Sequence, residues 1–174
     1  VDHAGVVLSP RGQLFHQSSI SKMPNVQAFA VTGACMLLRK ADFLAVGGFD
    51  EAYVNGCEDI DLCFKLQAAN KKVYVASESR IHHHVSLSRK TNTLQDLRNS
   101  RLLFSRWRSK IKNELSRVWR DLLAAGPSAY VDFWPEPITP DLLATPWALS
   151  LCMAETMLRR EEAHWAHMLD VDSQ

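Results

Sequence analysis

The sequence predicts an α/β domain followed by a helical C-terminal extension. Short strand-like runs and short helical runs both occur within about the first 95 residues. Beyond residue 96, apolar residues recur at three- and four-residue steps, which is the spacing of a helix with one apolar face. With 174 residues and 47% hydrophobic content, the chain can bury one real core.

Two strands are predicted before the first helix. Val1–Leu8 is strand-like, and Ser9–Gly12 has the proline and glycine chemistry of a turn. Val26–Leu38 is nearly continuous in small and apolar residues, which is typical of a strand buried on both faces. Three small residues in this run indicate that a ligand or a neighbouring segment approaches the backbone closely. They are Thr32, Gly33 and Ala34.

A short helix is predicted at Lys40–Val46. It ends where Gly47 and Gly48 can adopt the left-handed conformation that a helix exit requires. Phe49 is expected to anchor the chain in the core, and an exposed acidic loop is expected to begin at Asp50.

The second helix is predicted to begin at an acidic cluster, in the run CEDIDLCFKLQAANKK. Its apolar residues have helical spacing, and Asn70 lies where a glycine-like C-cap is useful. Glu58, Asp59 and Asp61 then fall at the helix N-terminus, where unpaired backbone amides and the helix dipole stabilise negative charge. Helix capping therefore explains these carboxylates when they are considered alone.

Histidines follow a third predicted strand, Lys72–Ala76. Ile81–Arg89 contains three consecutive histidines, and neighbouring side chains of a strand point to opposite faces. The three histidines therefore cannot all face one ion, and alone they are typical of partly exposed polar surface. A metal site would need an acidic or phosphate partner from elsewhere.

Net charge, cysteine spacing and the first residue indicate what class of protein this is. The net charge of +1 argues against a protein that binds nucleic acid through bulk charge. The four cysteines lack metal-type spacing, so we expect buried, reduced thiols in a cytosolic protein. The first residue is Val1 rather than methionine, which suggests a piece of a longer polypeptide.

A long amphipathic helix is predicted after residue 96. Its apolar stripe consists of Phe104, Trp107, Ile111, Leu115, Val118 and Leu122. Its other faces carry Arg98, Arg101, Arg106, Arg108, Lys110, Lys112, Arg117 and Arg120. We expect a solvated basic face, and the sharper alternative is that residues 98–120 meet anionic lipid head groups. Residues 126–146 hold most of the prolines and are predicted to be a linker or cover segment, and Trp147–Leu169 a final helix.

Four motifs, TGACMLLRK, GGFDE, EDIDLCFKL and IHHHVSLSR, resemble in order and spacing the C-terminal half of the family 2 glycosyltransferases. That family consists of inverting sugar transferases with the GT-A fold. The resemblance covers roughly Val1–Lys90. It implies a partial GT-A fold with a mixed, mainly parallel sheet over residues 1–95, and a helical extension over residues 96–174. Because the sheet would be incomplete at one edge, we also expect a homodimer.

By this resemblance, Asp59 is the catalytic base. It would take the proton of an acceptor hydroxyl as that hydroxyl attacks the anomeric carbon of a nucleotide-sugar. Glu58 and Asp61 would bind acceptor hydroxyls or hold the helix start, and Thr32–Ala34 would lie beneath the acceptor. His83 matches the family's metal-side histidine.

The resemblance also implies a donor site and a metal. Ser88 and Arg89 match a mobile loop that closes over the donor diphosphate. Mg²⁺ or Mn²⁺ would be held by acidic DxD ligands in an N-terminal half that this sequence lacks, because hard cations take oxygen ligands. The isolated chain is therefore expected to be a truncated and inactive piece of the enzyme.

The expected partners are a nucleotide-sugar and a glycan or lipid-linked acceptor of bacterial polysaccharide biosynthesis, and nucleic acid is not expected. The expected location is the cytoplasm, with a peripheral contact of residues 98–120 at the inner face of the membrane as an extension of that hypothesis. The alternative function is a non-catalytic assembly module that keeps a partial glycosyltransferase fold.

Overall fold

The structure is a computed structural model that describes residues 5–16, 26–76, 78–79, 93–126 and 146–171. These residues divide between two units. The first unit takes them from Val1–Val7 and Phe15–Leu103, and the second from Leu8–Leu14 and Phe104–Gln174. The domain boundary predicted after residue 95 stays a prediction.

Within the described residues, three short strands come first, and a fourth strand lies between the second and third α-helices. The strands are β1 (Val6–Leu8), β2 (Leu14–His16), β3 (Val26–Gln27) and β4 (Tyr74–Val75). The helices are α1 (Lys40–Ala45), α2 (Glu58–Ala68), α3 (Thr93–Ala125) and α4 (Pro146–Val171), with a 3₁₀ helix at Gly33–Cys35. β1 pairs with β2, and β3 pairs with β4.

Strand pairing corrects the predicted sheet. β3 and β4 run antiparallel, with Val26 opposite Val75. Val6 forms an antiparallel bridge with Ala30, and its N–H donates to the Ala30 carbonyl at 2.8 Å. The described residues therefore combine α and β structure as predicted, but these pairings are antiparallel rather than mainly parallel.

The predicted strand Val26–Leu38 was wrong in its length. Regular strand structure ends after two residues, and a 3₁₀ helix follows at Gly33–Cys35. The Thr32 hydroxyl caps this helix by accepting a hydrogen bond from Ala34 N–H at 3.3 Å. Because Leu37 is 100% exposed, the second half of this apolar run is not a strand buried on both faces.

The predicted helix exits are confirmed. The chain turns left-handed at Gly47 and Gly48 after α1, and at Asn70 after α2. Phe49 departs from its prediction, because its side chain is 47% exposed. Its ring packs edge-on against Phe43 at a centroid distance of 5.4 Å, which places it beside the helix exit instead of in the core.

The cysteines are free thiols, and their predicted burial is corrected at three positions. Cys63 is buried in α2, whereas Cys57 is half-buried and Cys35 and Cys152 are exposed. Cys35 belongs to the exposed 3₁₀ helix and Cys152 lies on an exposed face of α4. Apolar neighbours in the sequence did not show which face of each element carries the thiol.

Helix α2 supplies the centre of the first unit's core. Leu62 and Phe64 are fully buried, and the Phe64 ring lies 4.8 Å from that of Phe29. Complete burial of side chains of this size contributes about 2 kcal/mol each to stability. This burial holds α2 against the segment that leads from β3 to the 3₁₀ helix.

The second unit is built from the later part of α3 and from α4. The predicted stripe of α3 is confirmed at Phe104, Ile111 and Leu115, which are buried. Trp119 was missed by that stripe, yet it is fully buried, and its indole N–H donates to the Pro10 carbonyl at 3.0 Å. The helical backbone of α3 is interrupted at Trp107, where φ is −112° and ψ is 21°.

An ion-pair network joins α3 to α4 within this unit. Arg108 donates to both oxygens of Glu155, at 3.1 and 2.8 Å, and to Glu162 at 2.7 Å. Lys112 and Arg159 lie 2.8 and 3.0 Å from the same Glu155 carboxylate. These donors, Arg108 first, hold the pKa of Glu155 well below its usual range.

The network predicts how stability depends on pH. Replacing Glu155→Gln should lower the free energy of unfolding by about 1 kcal/mol at pH 7. The native pKa of Glu155 lies below its ordinary value of 4.5, so its contribution is complete above that pH and is lost as pH falls through the native value. Urea denaturation from pH 7 to pH 3 should show the deficit of the variant shrinking below about pH 4.5.

Glu161 in the same helix is the matched control. Burial raises its pKa above 4.5, against the opposing effects of His164 and Gln13, so its ionised form opposes folding. Glu161→Gln should therefore gain stability at pH 7 and lose this advantage in acid, which is the opposite slope. A deficit of Glu155→Gln that stays constant down to pH 3 would contradict the assignment.

Candidate active site

Helix α2 begins from a constrained backbone. Its N-cap residue, Cys57, is left-handed at φ 71° and makes no side-chain capping hydrogen bond. Asn55 is also left-handed, at φ 52°. Asparagine tolerates this conformation, whereas for cysteine it costs roughly 1 to 2 kcal/mol. Strain of this kind persists only where surrounding contacts fix the chain, and it is concentrated at functional sites.

The Asp59 carboxylate links this helix start to a distant segment. Its Oδ2 atom accepts a hydrogen bond from Gly33 N–H at 2.7 Å, across 26 residues of sequence. Its Oδ1 atom accepts from Ile60 N–H at 2.8 Å. The side chain is half-buried, and each oxygen keeps a further lone pair. Asp59 is therefore held by the backbone and can still accept a proton.

The contact between Asp59 and Gly33 is the first of three along α2. The side chain at every fourth residue of α2 contacts a backbone group at every second residue of the segment 29–33, which leads into the 3₁₀ helix. The contacts are Asp59 Oδ2 with Gly33 N–H at 2.7 Å, Cys63 Sγ with Val31 O at 3.8 Å, and Gln67 Nε2 with Phe29 O at 2.9 Å. We call this set the α2 ladder. Four helical residues rise about 6.0 Å and two extended residues about 6.6 Å, so the contacts stay in register.

Close packing accompanies the first contact of the ladder. A Cβ atom added to Gly33 would lie 3.2 Å from Asp59 Cβ and 3.6 Å from its Oδ2. The small residue predicted to allow close approach therefore admits the aspartate side chain.

The second contact of the ladder involves a buried thiol. Burial raises the pKa of Cys63 to about 11, the hydrogen bond to Val31 opposes this rise, and the charge of Asp59 adds to it. Cys63 is consequently a neutral thiol, and its S–H group donates a hydrogen bond to Val31 O.

The neighbouring acids differ from Asp59 in their surroundings. Asp61 is 1% exposed, accepts from the Tyr53 hydroxyl at 3.3 Å, and lies 2.9 Å from Lys65 Nζ. Lys65 also donates to the Gly48 carbonyl at 3.1 Å. Of the two roles that the sequence left open for Asp61, this geometry favours holding the helix start. The Oε2 atom of Glu58 is buried and has no hydrogen-bond partner in the described part of the chain.

Asn99 in α3 is a buried polar residue that the sequence reasoning missed. It is 1% exposed, and its amide binds both backbone groups of Val54, accepting from N–H at 3.3 Å and donating to O at 2.8 Å. Gln95 donates to the same Asn99 oxygen at 3.0 Å. A signal was present, because Asn99 stands one turn before the buried Leu103 and so interrupts an apolar helix face.

The remaining predicted site residues differ in how far they can be placed. Thr32 is half-buried, and Gly33 and Ala34 are exposed, beside Asp59. His83, Ser88 and Arg89 lie outside the described residues, so their roles stay predictions. Among the residues that the structure does describe, no group of His, Cys, Asp or Glu side chains could hold a metal ion. None of the described helices is long and apolar enough to cross a membrane.

Comparisons with curated proteins point to sugar transferases. The O-antigen biosynthesis protein RfbC of Myxococcus xanthus is 31% identical over 107 residues, 55% of this chain and 8% of that protein. Rhamnosyltransferase WbbL of Escherichia coli is 47% identical over 55 residues, 30% of this chain and 21% of that protein. The N-acetylglucosaminyl-diphospho-decaprenol L-rhamnosyltransferase of Mycobacterium tuberculosis is 44% identical over 54 residues, 30% of this chain and 18% of that protein.

The matched part is a small portion of these relatives, 8% to 21% of their length. No solved structure gives a significant match. The family profile described as glycosyltransferase like family 2 matches residues 7–120, which include the α2 ladder and Asn99. Because this match covers more than half of the sequence, the chain belongs to the glycosyltransferase-like family 2.

Proposed function

We propose that this chain is the acceptor-side part of an inverting glycosyltransferase in which Asp59 is the general base. The observation that carries the proposal is the Asp59 carboxylate, fixed by Gly33 N–H at 2.7 Å and half-buried beside the exposed Gly33–Cys35 turn. A fixed carboxylate with free lone pairs can receive a proton without reorganising during the reaction.

The proposed reaction is a direct displacement. An acceptor hydroxyl oxygen attacks the anomeric carbon of the nucleotide-sugar and loses its proton to Asp59. The new carbon–oxygen bond forms as the bond to the diphosphate breaks, and the diphosphate leaves with the electron pair. Because attack comes from the face opposite the leaving group, the configuration at the anomeric carbon inverts.

The relatives refine the proposed substrates. Two of them are named as rhamnosyltransferases, and one name specifies an N-acetylglucosaminyl-diphospho lipid. We propose a nucleotide-activated rhamnose as donor and a lipid-linked diphospho-sugar as acceptor. Mg²⁺ or Mn²⁺ belongs to the proposal for the whole enzyme. The described residues supply no site for that ion, so no step above depends on it.

Replacing Asp59→Asn in the full-length gene product should lower kcat by about 10² to 10⁴-fold, because the amide cannot accept the proton. Transfer is measured with a panel of nucleotide-sugars and Mn²⁺, and nucleotide binding by calorimetry, which should be unchanged. Asp42→Asn is the matched control, since it makes the same chemical change at a surface pair with Lys71. Wild-type turnover in Asp59→Asn contradicts the base role. Absence of both turnover and nucleotide binding in the wild type favours the assembly module.

Replacing Gly33→Ala should lower kcat by about tenfold, because the new Cβ at 3.2 Å from Asp59 Cβ must displace the carboxylate by a few tenths of an ångström. The free energy of unfolding should change by no more than about 1 kcal/mol, since the site is exposed. Ala41→Ser, which alters an exposed residue of α1 outside the proposed site, serves as control. Unchanged kcat in Gly33→Ala would show that the position of Asp59 does not limit the reaction.

The predicted membrane contact of residues 98–120 is a separate proposal. Part of the basic face is engaged by acids, because Arg108 and Lys112 bind Glu155, and Arg117 binds Glu114 and Asp121. The exposed residues nearest the helix start are Arg98 and Arg101.

Flotation with vesicles tests this contact. The full-length protein should bind vesicles rich in anionic lipid at low salt and should not bind zwitterionic vesicles. Changing both Arg98 and Arg101 to glutamine should weaken binding by about fivefold for each charge removed. No binding to anionic vesicles at low salt removes the idea.

A further inference from the structure

We propose that Asn99 is a positioning residue that sets the place of Asp59 by clamping the loop in front of α2. The inference rests on the proposed function, in which Asp59 is the base. It begins from one contact, in which a single side-chain amide satisfies both backbone groups of Val54.

The contacts of Asn99 fix the orientation of its side-chain amide. Asn99 Nδ2 donates to Val54 O at 2.8 Å, and its Oδ1 accepts from Val54 N–H at 3.3 Å. Gln95 Nε2, one turn earlier in α3, donates to the same Oδ1 at 3.0 Å. Flipping the amide would set its NH₂ group against two donors, so only one orientation satisfies all three contacts. Asn99 is 1% exposed, and a misfit could not be compensated by solvent.

Val54 is 51% exposed, so its own burial does not fix it. The preceding Tyr53 is buried, and its hydroxyl donates to Asp61 Oδ1 at 3.3 Å, which holds one side of this loop. The residues that follow include two left-handed ones, Asn55 and Cys57, before α2 begins at Glu58. A loop in such a conformation relaxes unless surrounding groups fix its backbone. The amide of Asn99 restrains the backbone at Val54, four residues before α2 begins.

A movement of this loop changes the position of Asp59, because the loop is hydrogen-bonded to the first turn of α2. The Cys57 carbonyl accepts from Asp61 N–H at 2.9 Å, so a shift of Cys57 tilts the turn that carries Asp59. On the other side of that turn, Asp59 meets Gly33 N–H at 2.7 Å. A shift of a few tenths of an ångström lengthens this bond and removes its alignment. Asn99 therefore acts on the proposed base without touching it.

The test uses Asn99→Leu in the full-length gene product, because leucine keeps the shape of asparagine and removes all three hydrogen bonds of its amide. Hydrogen exchange of the Gly33 amide, read by mass spectrometry at single-residue resolution, reports on the bond to Asp59. Exchange should rise about tenfold or more relative to the wild type, toward the level of Asp59→Ala, which lacks the acceptor. In the transfer assay, kcat should fall about tenfold while KM for the donor changes by less than about twofold.

Ser116→Ala is the matched control. Ser116 is equally buried and loses a hydrogen bond to Ser150 of 3.1 Å, but it lies in the second unit. This variant measures the effect of lost stability alone, and Gly33 exchange and kcat should stay at wild-type values. Equal behaviour of Asn99→Leu and Ser116→Ala, measured below both melting temperatures, overturns the proposal.

Two further outcomes are separable. If Asn99→Leu does not fold, Gln95→Ala removes the hydrogen bond from Gln95 to the Asn99 amide and leaves both bonds to Val54, so it should raise Gly33 exchange by a smaller factor. Wild-type exchange in that variant then overturns the proposal. If the wild-type enzyme transfers no sugar, the proposed function fails, yet exchange at Gly33 still decides whether Asn99 positions Asp59.

Discussion

The hydrogen bond between Gly33 N–H and the Asp59 carboxylate is the first contact of the α2 ladder, which sets the position of helix α2 in the first unit. Three side chains of α2 at four-residue steps meet the backbone at Gly33, Val31 and Phe29. Sliding the helix by one residue would rotate each side chain by about 100° and break all three contacts together. The α2 ladder therefore fixes translation and rotation of the helix at once, and the position of the carboxylate follows from both.

The same geometry explains why two neighbouring acids have different environments. Asp61 follows Asp59 by two residues, which is about 200° around the helix. Asp59 accordingly faces the Gly33 turn and stays half-buried, whereas Asp61 faces the interior and is 1% exposed. A buried carboxylate is tolerated only with partners, and Tyr53 and Lys65 supply them. Within the acidic cluster, Asp61 therefore has a structural role, whereas Asp59 lies on the more accessible side.

Local signals in the sequence predicted the features that depend on neighbouring residues. The left-handed exits at Gly47, Gly48 and Asn70 and the acidic start of α2 follow from backbone chemistry. The extent of Val26–Leu38 as a strand did not, because an apolar run does not show whether a second layer covers it. Leu37, fully exposed, marks that limit. Contacts between residues distant in sequence were not predicted either, and the contact of Asn99 with Val54 across 45 residues is an example.

The motif that carries the proposed chemistry is therefore shorter than the structure that holds it in place. Asp59 is bound at Gly33, 26 residues earlier, and the loop before it is bound by Asn99 in α3. The contacts that restrain this one carboxylate reach from the segment before the 3₁₀ helix into the first turns of α3. The family match over residues 7–120 includes all of them. A single acidic pair at a helix start is common, and what distinguishes this one is that its position is set from both sides by backbone contacts.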